Sequence, residues 1–263
     1  MLWALVLAAS GFLRPAELHL RASEDSDPTA LLQLCHLPGA QLELGTRSNM
    51  LGPEVFEVLR RCTRPEVELR APLRAAHRER LEKLPAVEPL FSLGPADSLD
   101  WTAVSALGPR RVHLRLSGIL TAARAEALAR FRNTELLLDL RGRLPDAEEL
   151  ARFRQLDRAD RVFLIRADAP PELVAGLKAA QPSGLVVQAV GNKVPAPMLR
   201  ALAGADLPTR IELVWPFSAA EVEPLTAIRR LALEVDLGEI ERLPAGFVKA
   251  LAPVEPDLSA PVH

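Results

Sequence analysis

Histidine and carboxylate side chains recur between apolar residues along the chain, and they are the first candidates for chemistry. His113 lies in the segment VHLRLS, Asp139 in LLLDLR and Glu212 in IELVW. A histidine that touches a carboxylate can transfer protons as a general acid and base. These residues can act together only if the fold places their segments side by side, so the elements that carry them decide the question.

The sequence contains none of the local motifs that identify a catalytic or cofactor site. A glycine-rich phosphate loop, a nucleophile elbow, a zinc-binding histidine pair and an EF-hand loop are all missing from it. The acidic run that ends at Asp27 is explained as a helix N-cap before Pro28. The sequence therefore predicts no metal, no cofactor and a protein that is not an enzyme.

Composition excludes two classes of partner. The 263 residues are 49% hydrophobic, which is enough to bury a large core, and the net charge is −2. With aromatic residues at only 4% and no tyrosine, neither electrostatics nor base stacking favours nucleic acid. No apolar run after the first residues approaches the roughly 18 that a membrane span needs, so no integral membrane span is predicted.

Residues 1–13 form an apolar segment whose start, Met1 to Ser10, resembles a secretory signal. It lacks a basic residue before the apolar run and is short for a signal, so a short helix that caps the first strand is the alternative. The first interpretation predicts export to the periplasm or the medium. The second predicts a cytoplasmic protein.

The cysteines Cys35 and Cys62 fall at similar points of successive repeats, near the ends of two adjacent predicted helices. Two buried free thiols are the favoured interpretation. A disulfide between the two helices is expected if the protein is exported.

A short strand with an apolar, any, apolar core recurs about every 24 residues through positions 14–252. The ten cores are Leu18-His19-Leu20, Leu42-Glu43-Leu44, Val67-Glu68-Leu69, Phe91-Ser92-Leu93, Val112-His113-Leu114, Leu136-Leu137-Leu138, Val162-Phe163-Leu164, Leu185-Val186-Val187, Ile211-Glu212-Leu213 and Leu231-Ala232-Leu233. The spacing predicts ten strand-plus-helix units, followed by an extended tail at 253–263.

Helical periodicity with start and stop signals fills the intervals between these strands. The predicted helices include 53–62, 98–107, 121–131, 146–156, 171–180 and 196–203, and Ser218 to Glu221 forms a capping box. Because a helix separates each strand from the next, the strands should pair in parallel through right-handed crossovers.

Alternation in the first five strands places polar residues on one sheet face, so the helices are expected on the other face only. A helix is about 10 Å wide and strands repeat every ~4.8 Å, so the sheet must curve with the strands inside. We therefore predict an α/β fold, a right-handed parallel solenoid shaped as a horseshoe. A closed (β/α) barrel is the alternative, and an enzyme of that type would use His113, Asp139 and Glu212 at the strands.

The spacing and the L-x-L cores resemble the leucine-rich-repeat solenoids over nearly the whole chain. The Asn or Cys that follows the strand in that family does not recur here; the asparagines are Asn49, Asn133 and Asn192. The resemblance implies an interaction module that binds a protein or peptide on its concave sheet face.

The later strands place apolar residues on that predicted concave face, which is typical of a partner site. The predicted apolar anchors are Leu137, Phe163, Ile165, Val214 and Trp215. The predicted polar rim is Arg115, Arg141 and Arg166. Cover by the C-terminal tail and burial of these strands on both faces are alternatives, and a purely structural exported repeat protein is a third function.

Overall fold

The computed structural model describes residues 17–37, 40–46, 52–62, 65–69, 88–93, 111–129, 134–141, 143–156, 159–242 and 244–254, with positions 79 and 83. The predicted segment 1–13, the helix at 98–107 and the tail from residue 255 lie outside the described residues, so those predictions stay untested. The described part is enough to follow the chain around the whole sheet.

Ten strands appear among the described residues, and each contains one of the predicted cores. They are β1 Glu17–Ser23, β2 Ala40–Gly45, β3 Glu66–Leu69, β4 Glu88–Leu93, β5 Val112–Ser117, β6 Thr134–Asp139, β7 Ala159–Arg166, β8 Gly184–Gln188, β9 Thr209–Val214 and β10 Leu231–Gly238. Every neighbouring pair is parallel. The parallel α/β prediction is confirmed.

The sheet closes on itself, because β1 pairs in parallel with β10 as well as with β2. The predicted open horseshoe, and with it the leucine-rich-repeat resemblance, is therefore wrong, and the alternative of a closed barrel is correct. Closure leaves no sheet edge with unpaired N–H and C=O groups. The polar face that we took for a solvated concave surface encloses a lumen, the space inside the ten strands.

Among the described residues, eight helices and a 3-10 turn lie on the outside of the barrel, and every helix except the last connects two consecutive strands. They are α1 Pro28–Cys35, α2 Pro53–Leu59, α3 Ala122–Leu128, α4 Ala147–Gln155, α5 Glu172–Lys178, α6 Ala196–Ala205, α7 Ala219–Val222 with the 3-10 turn Glu223–Ala227, and α8 Phe247–Leu251. Asp27 and Asp146 cap α1 and α4 by accepting hydrogen bonds from backbone N–H groups. The capping box of Ser218 and Glu221 is present at α7.

The hydrophobic core forms a shell between the outer face of the barrel and these helices. Phe163 and Ile165 belong to this shell, with 0% and 1% of their surface exposed, and Phe163 stacks on Phe153 of α4 at 4.2 Å. Their prediction as exposed anchors is wrong. The run Val162 to Ile165 is apolar at every position, so alternation could not show which residues face outward.

The lumen has a small apolar sector of its own, formed by Leu137, Leu164 and Val186. Leu137 is buried there, so it is not an exposed anchor either, and β6 to β8 are buried on both faces. Trp215 packs edge-on against Phe217 and Phe247, with ring centroids 5.3 Å apart in each pair. Of the five predicted anchors, only Val214 is exposed, at 59%.

A disulfide joins Cys35 and Cys62, whose Cα atoms are 5.2 Å apart at the ends of α1 and α2. The favoured prediction of two free thiols is therefore wrong, and the alternative of a disulfide is present. Among the described helices, none combines the length and the apolar character needed to cross a bilayer.

Candidate active site

A cavity of about 570 Å³ opens at the end of the lumen where the strands finish. We call it the carboxyl-end cavity. Its charged lining residues are Arg21, Arg115, Asp139, Arg141, Glu212, Glu234 and Asp236. In (β/α) barrels, the carboxyl ends of the strands are where catalytic residues gather, because neighbouring parallel strands deliver their last side chains to one place.

Glu212 on β9 is the residue of this cavity best placed to exchange protons. One carboxylate oxygen, Oε2, accepts a hydrogen bond from Gln188 at 3.2 Å. The other, Oε1, lies 3.6 Å from a guanidinium nitrogen of Arg115. Burial and the negative charge of Glu234 raise the pKa of Glu212 to about 7, so near neutral pH this carboxyl can either accept or donate a proton.

Asp139 holds two arginines instead of exchanging protons. Its Oδ2 lies 2.6 Å from Arg141 and 3.8 Å from Arg115. Burial opposes ionisation of Asp139, but hydrogen bonds from the side chain and backbone of Arg141 keep its pKa below the usual value. The carboxylate therefore stays charged and orients both guanidinium groups toward the cavity.

The predicted arginine rim is brought together at this mouth. Arg115 and Arg141 line the carboxyl-end cavity, and Arg141 is 33% exposed. Arg166 lines the adjoining outer part of the mouth and pairs with Asp168 at 2.7 Å. Arginine binds carboxylates and phosphates through paired N–H donors, so this rim can orient an oxyanion of a substrate.

The predicted catalytic pair of His113 and Asp139 does not form. The residue opposite His113 in the sheet register is Glu135, and Asp139 lies four residues further along β6. At about 3.3 Å per residue, this separates them by roughly 13 Å along the strand. His113 is in the amino half of the lumen, away from the open cavity.

His113 is instead surrounded by carboxylates from three other strands, a group that we call the His113 cluster. Its Nε2 lies 2.9 Å from Glu88 and 3.7 Å from Glu66, and its Nδ1 lies 3.7 Å from Glu135. Burial disfavours the imidazolium, but the nearby carboxylates of Glu135 and Glu88 raise the pKa of His113 to about 10. The ring is therefore a buried cation near neutral pH.

Glu66, Glu88 and His113 are the one described group whose ligand atoms lie close enough for a metal ion, all within 4.8 Å of one another. A metal needs an imidazole nitrogen without a proton. Since the surrounding carboxylates stabilise the protonated ring, the arrangement fits an ion-pair cluster better than a metal centre.

Further ion pairs connect the two ends of the lumen. Arg21 contacts Glu43 at 3.3 Å and Glu68 at 2.8 Å, and Arg210 contacts Glu234 at 3.4 Å. Burial and the charge of Glu234 raise the pKa of Glu43 to about 8.

The other lumen histidine behaves differently. Burial and the charge of Arg210 lower the pKa of His19 to about 3. Among the described residues, the lumen thus contains one charged and one neutral histidine near neutral pH.

Several of these lumen residues were missed at the sequence level. They are Arg21, Glu66, Glu88, Arg111, Glu135 and Arg210. Most lie two positions from a polar strand residue that alternation places on the inner face. Continuing the alternation by two residues toward the strand ends would therefore have identified them.

Comparison with known proteins identifies no family. No family model matches the chain, and the curated proteins gave no match. Among solved structures, the chain is similar to tryptophan synthase from M. tuberculosis, at 18% identity over 88% of this chain and 86% of that one, with a TM-score of 0.40. The tryptophan synthase alpha subunit from Pyrococcus furiosus shows 15% identity over 86% and 88% of the two chains, with a TM-score of 0.41.

The prediction that the chain is a non-enzymatic repeat module is corrected by the closure of the sheet. It depended on an open concave face, and that face is the inside of a closed barrel.

Proposed function

We propose that the chain is a barrel enzyme that transfers a proton within a small carbonyl or carboxylate compound, with Glu212 as the general base. Arg115 and Arg141 would bind the substrate oxygen. The observation that carries the proposal is the position of Glu212: its carboxylate oxygen is 3.6 Å from Arg115, and both residues line the open 570 Å³ cavity at the carboxyl end of the strands.

The proposed step moves one proton and one electron pair. The Glu212 carboxylate takes a proton from the carbon next to the carbonyl, and the C–H electron pair shifts to form an enolate whose negative charge lies on oxygen. Arg115 stabilises this oxyanion through charge-assisted hydrogen bonds. Return of the proton from Glu212 to a carbon of the enolate completes the reaction and regenerates the base, so no further reactant is needed.

The surroundings of Glu212 support this role. A general base works best when its pKa lies near the operating pH, and the pKa of Glu212 is raised to about 7 by burial and by Glu234. Gln188 fixes the carboxylate from one side, which leaves the Arg115 side for the substrate. The cavity volume is within the range of small-molecule sites, roughly 300 to 1,000 Å³.

Solvent deuterium exchange tests the proposal without knowledge of the product. The chain is incubated in D2O with keto acids, hydroxy acids and sugar phosphates, and loss of the exchangeable C–H is followed by proton NMR. We expect exchange in at least one of these classes, with a rate that rises with pH through about 7 because Glu212 must be deprotonated. Glu212→Gln should lower the rate by about 100-fold or more.

Glu172→Gln is the matched control, since Glu172 is exposed on α5 and the substitution removes the same charge. The control should exchange deuterium at the wild-type rate, and both variants should unfold at wild-type denaturant concentrations. Equal exchange by the wild type and Glu212→Gln, or no exchange with any of the three classes, would contradict the proposal.

A further inference from the structure

A second cavity, of about 370 Å³, opens at the opposite end of the lumen, where the strands begin. We call it the amino-end cavity. Four arginines line it, together with only two carboxylates: Arg111, Glu135, Asp160, Arg210, Arg229 and Arg230. Its charge is therefore biased toward the positive, in a protein whose net charge is −2.

The four arginines divide into two pairs with different surroundings. Arg111 contacts Glu135 at 3.1 Å and Asp160 at 2.7 Å. Arg210 contacts Glu135 at 3.7 Å and Glu234 at 3.4 Å. These contacts neutralise Arg111 and Arg210, the inner pair, and fix the carboxylates in place. The positive charge that is left therefore belongs to Arg229 and Arg230, the outer pair.

The outer pair, Arg229 and Arg230, lies between the 3-10 turn and β10, at the rim of the cavity. Both side chains are exposed. Within the described part of the chain, neither has an ion-pair or hydrogen-bond partner for its guanidinium group. Two adjacent arginines without a carboxylate at the mouth of a cavity are suited to an oxyanion, because a guanidinium matches phosphate and carboxylate geometry.

The rest of the lining limits the size and character of the ligand. Val162, Val186 and Ala232 supply apolar surface beside the charged residues. The volume is at the small end of the range for ligand pockets. A compact organic anion, with its oxyanion toward the arginines and its apolar part against the valines, satisfies both halves of the lining.

We propose that the amino-end cavity binds a small organic oxyanion, a phosphate ester or a carboxylate, through Arg229 and Arg230. This site is separate from the proposed catalytic residues, because it lies at the opposite end of the same ten strands. Its occupation does not depend on the deuterium-exchange reaction, so the two proposals can fail independently.

Calorimetric titration of the full chain with phenyl phosphate and with benzoate, at low ionic strength, tests this site. Phenyl phosphate carries a phosphate group and benzoate a carboxylate group, each on an apolar ring. We expect saturable binding of at least one probe, and about a tenfold or greater loss of affinity in the double variant Arg229→Ala, Arg230→Ala. Added salt should weaken binding, because exposed charges are screened.

Two comparisons locate the binding. The double variant Arg200→Ala, Arg242→Ala removes the same charge from exposed positions outside the cavity and should bind both probes as the wild type does. Arg141→Ala tests whether the probes bind at the carboxyl-end cavity instead. If Arg229→Ala, Arg230→Ala does not fold, the single variant Arg230→Gln should still lower the affinity.

Every outcome bears on the proposal. Binding of one probe only, lost in Arg229→Ala, Arg230→Ala, supports the site and identifies which oxyanion it takes. Loss of affinity in Arg141→Ala alone, equal loss in the control pair, or no binding of either probe overturns it.

Discussion

The His113 cluster and the carboxyl-end cavity both pair basic groups with carboxylates but differ in their access to water. In the cluster, the side chains of His113, Glu66 and Glu88 are 6%, 6% and 9% exposed. At the cavity, Glu212 is 13% and Arg141 is 33% exposed. His113, Glu66 and Glu88 line neither the carboxyl-end nor the amino-end cavity, whereas Glu212 and Arg141 line the carboxyl-end cavity, which has room for another molecule.

This difference shows that ion pairing alone does not identify a reactive site in this barrel. In the His113 cluster, the imidazolium is compensated by the surrounding carboxylates, and its removal leaves buried carboxylates that water cannot reach. At the cavity, a charged group that loses its partner can be solvated. The cluster should therefore contribute mainly to stability, and the cavity mainly to function.

The largest expected effect is that of His113→Leu. The substitution leaves Glu66, Glu88 and Glu135 near one another without their shared cation. We expect the free energy of unfolding to fall by about 3 to 5 kcal/mol, the cost of breaking a buried pair, measured by urea denaturation.

The exposed His36 provides the control for this substitution. His36→Leu should change the free energy of unfolding by less than about 0.5 kcal/mol, as surface substitutions usually do. A similar small effect of His113→Leu would show that the cluster does not hold the barrel together.

An intermediate effect is expected from pH, because buried groups of the lumen titrate with shifted pKa values. Acting against burial, the carboxylates of Glu135 and Glu88 raise the pKa of His113 from 6.5 to about 10. The stabilisation that His113 contributes to the fold is therefore full below pH 6.5 and lost as the pH rises through 10. Burial and the charge of Glu234 raise the pKa of Glu43 from 4.5 to about 8. Ionisation of Glu43 therefore also lowers the free energy of unfolding as the pH rises through 8. The free energy of unfolding should therefore fall from pH 6.5 to pH 10.

Urea denaturation at pH 6, 8 and 10 measures this decline. Glu43→Gln should make the decline between pH 6 and pH 8 smaller.

In acid the sign is reversed at Glu135. Burial opposes its ionisation, but His113 and Arg210 lower its pKa from 4.5 to about 2, so its stabilisation is lost as the pH falls from 4.5 through 2. A free energy of unfolding that does not change between pH 6 and 10 would contradict the assignment of His113 as a buried cation.

The smallest expected effect on stability is that of Arg141→Ala at the mouth of the cavity. Arg141 is partly exposed, and Asp139 keeps Arg115 as a second partner. The free energy of unfolding should change by less than about 1 kcal/mol, whereas KM in the deuterium-exchange assay should increase. Destabilisation as large as that of His113→Leu would remove the distinction between the two regions.

Local sequence signals predicted the strands and many helix ends. The apolar, any, apolar cores lie in β1 to β10, and the predicted caps at Asp27 and Ser218 are present. The same alternation placed Arg115 and Glu212 on one face, which is the lumen face. These features depend on contacts within a few residues, so a linear pattern contains them.

Pairings between distant strands could not be predicted in the same way. Whether β1 meets β10, whether Phe163 faces the helices, and which carboxylates surround His113 all depend on how far the sheet curves and on the register of neighbouring strands. A polar inner face is compatible with a solvated arc and with a lumen whose charges neutralise one another.

The sequence by itself therefore determined the repeating parallel strand-and-helix unit and the inward direction of Arg115, Arg141 and Glu212, because periodicity fixes the side of a strand on which a residue lies. The tertiary structure alone decided that the sheet closes, that His113 is a buried cation and that Glu212 faces an open cavity. The physical reason is that burial and charge pairing arise between strands far apart in the chain, once closure has removed most of the water from between them.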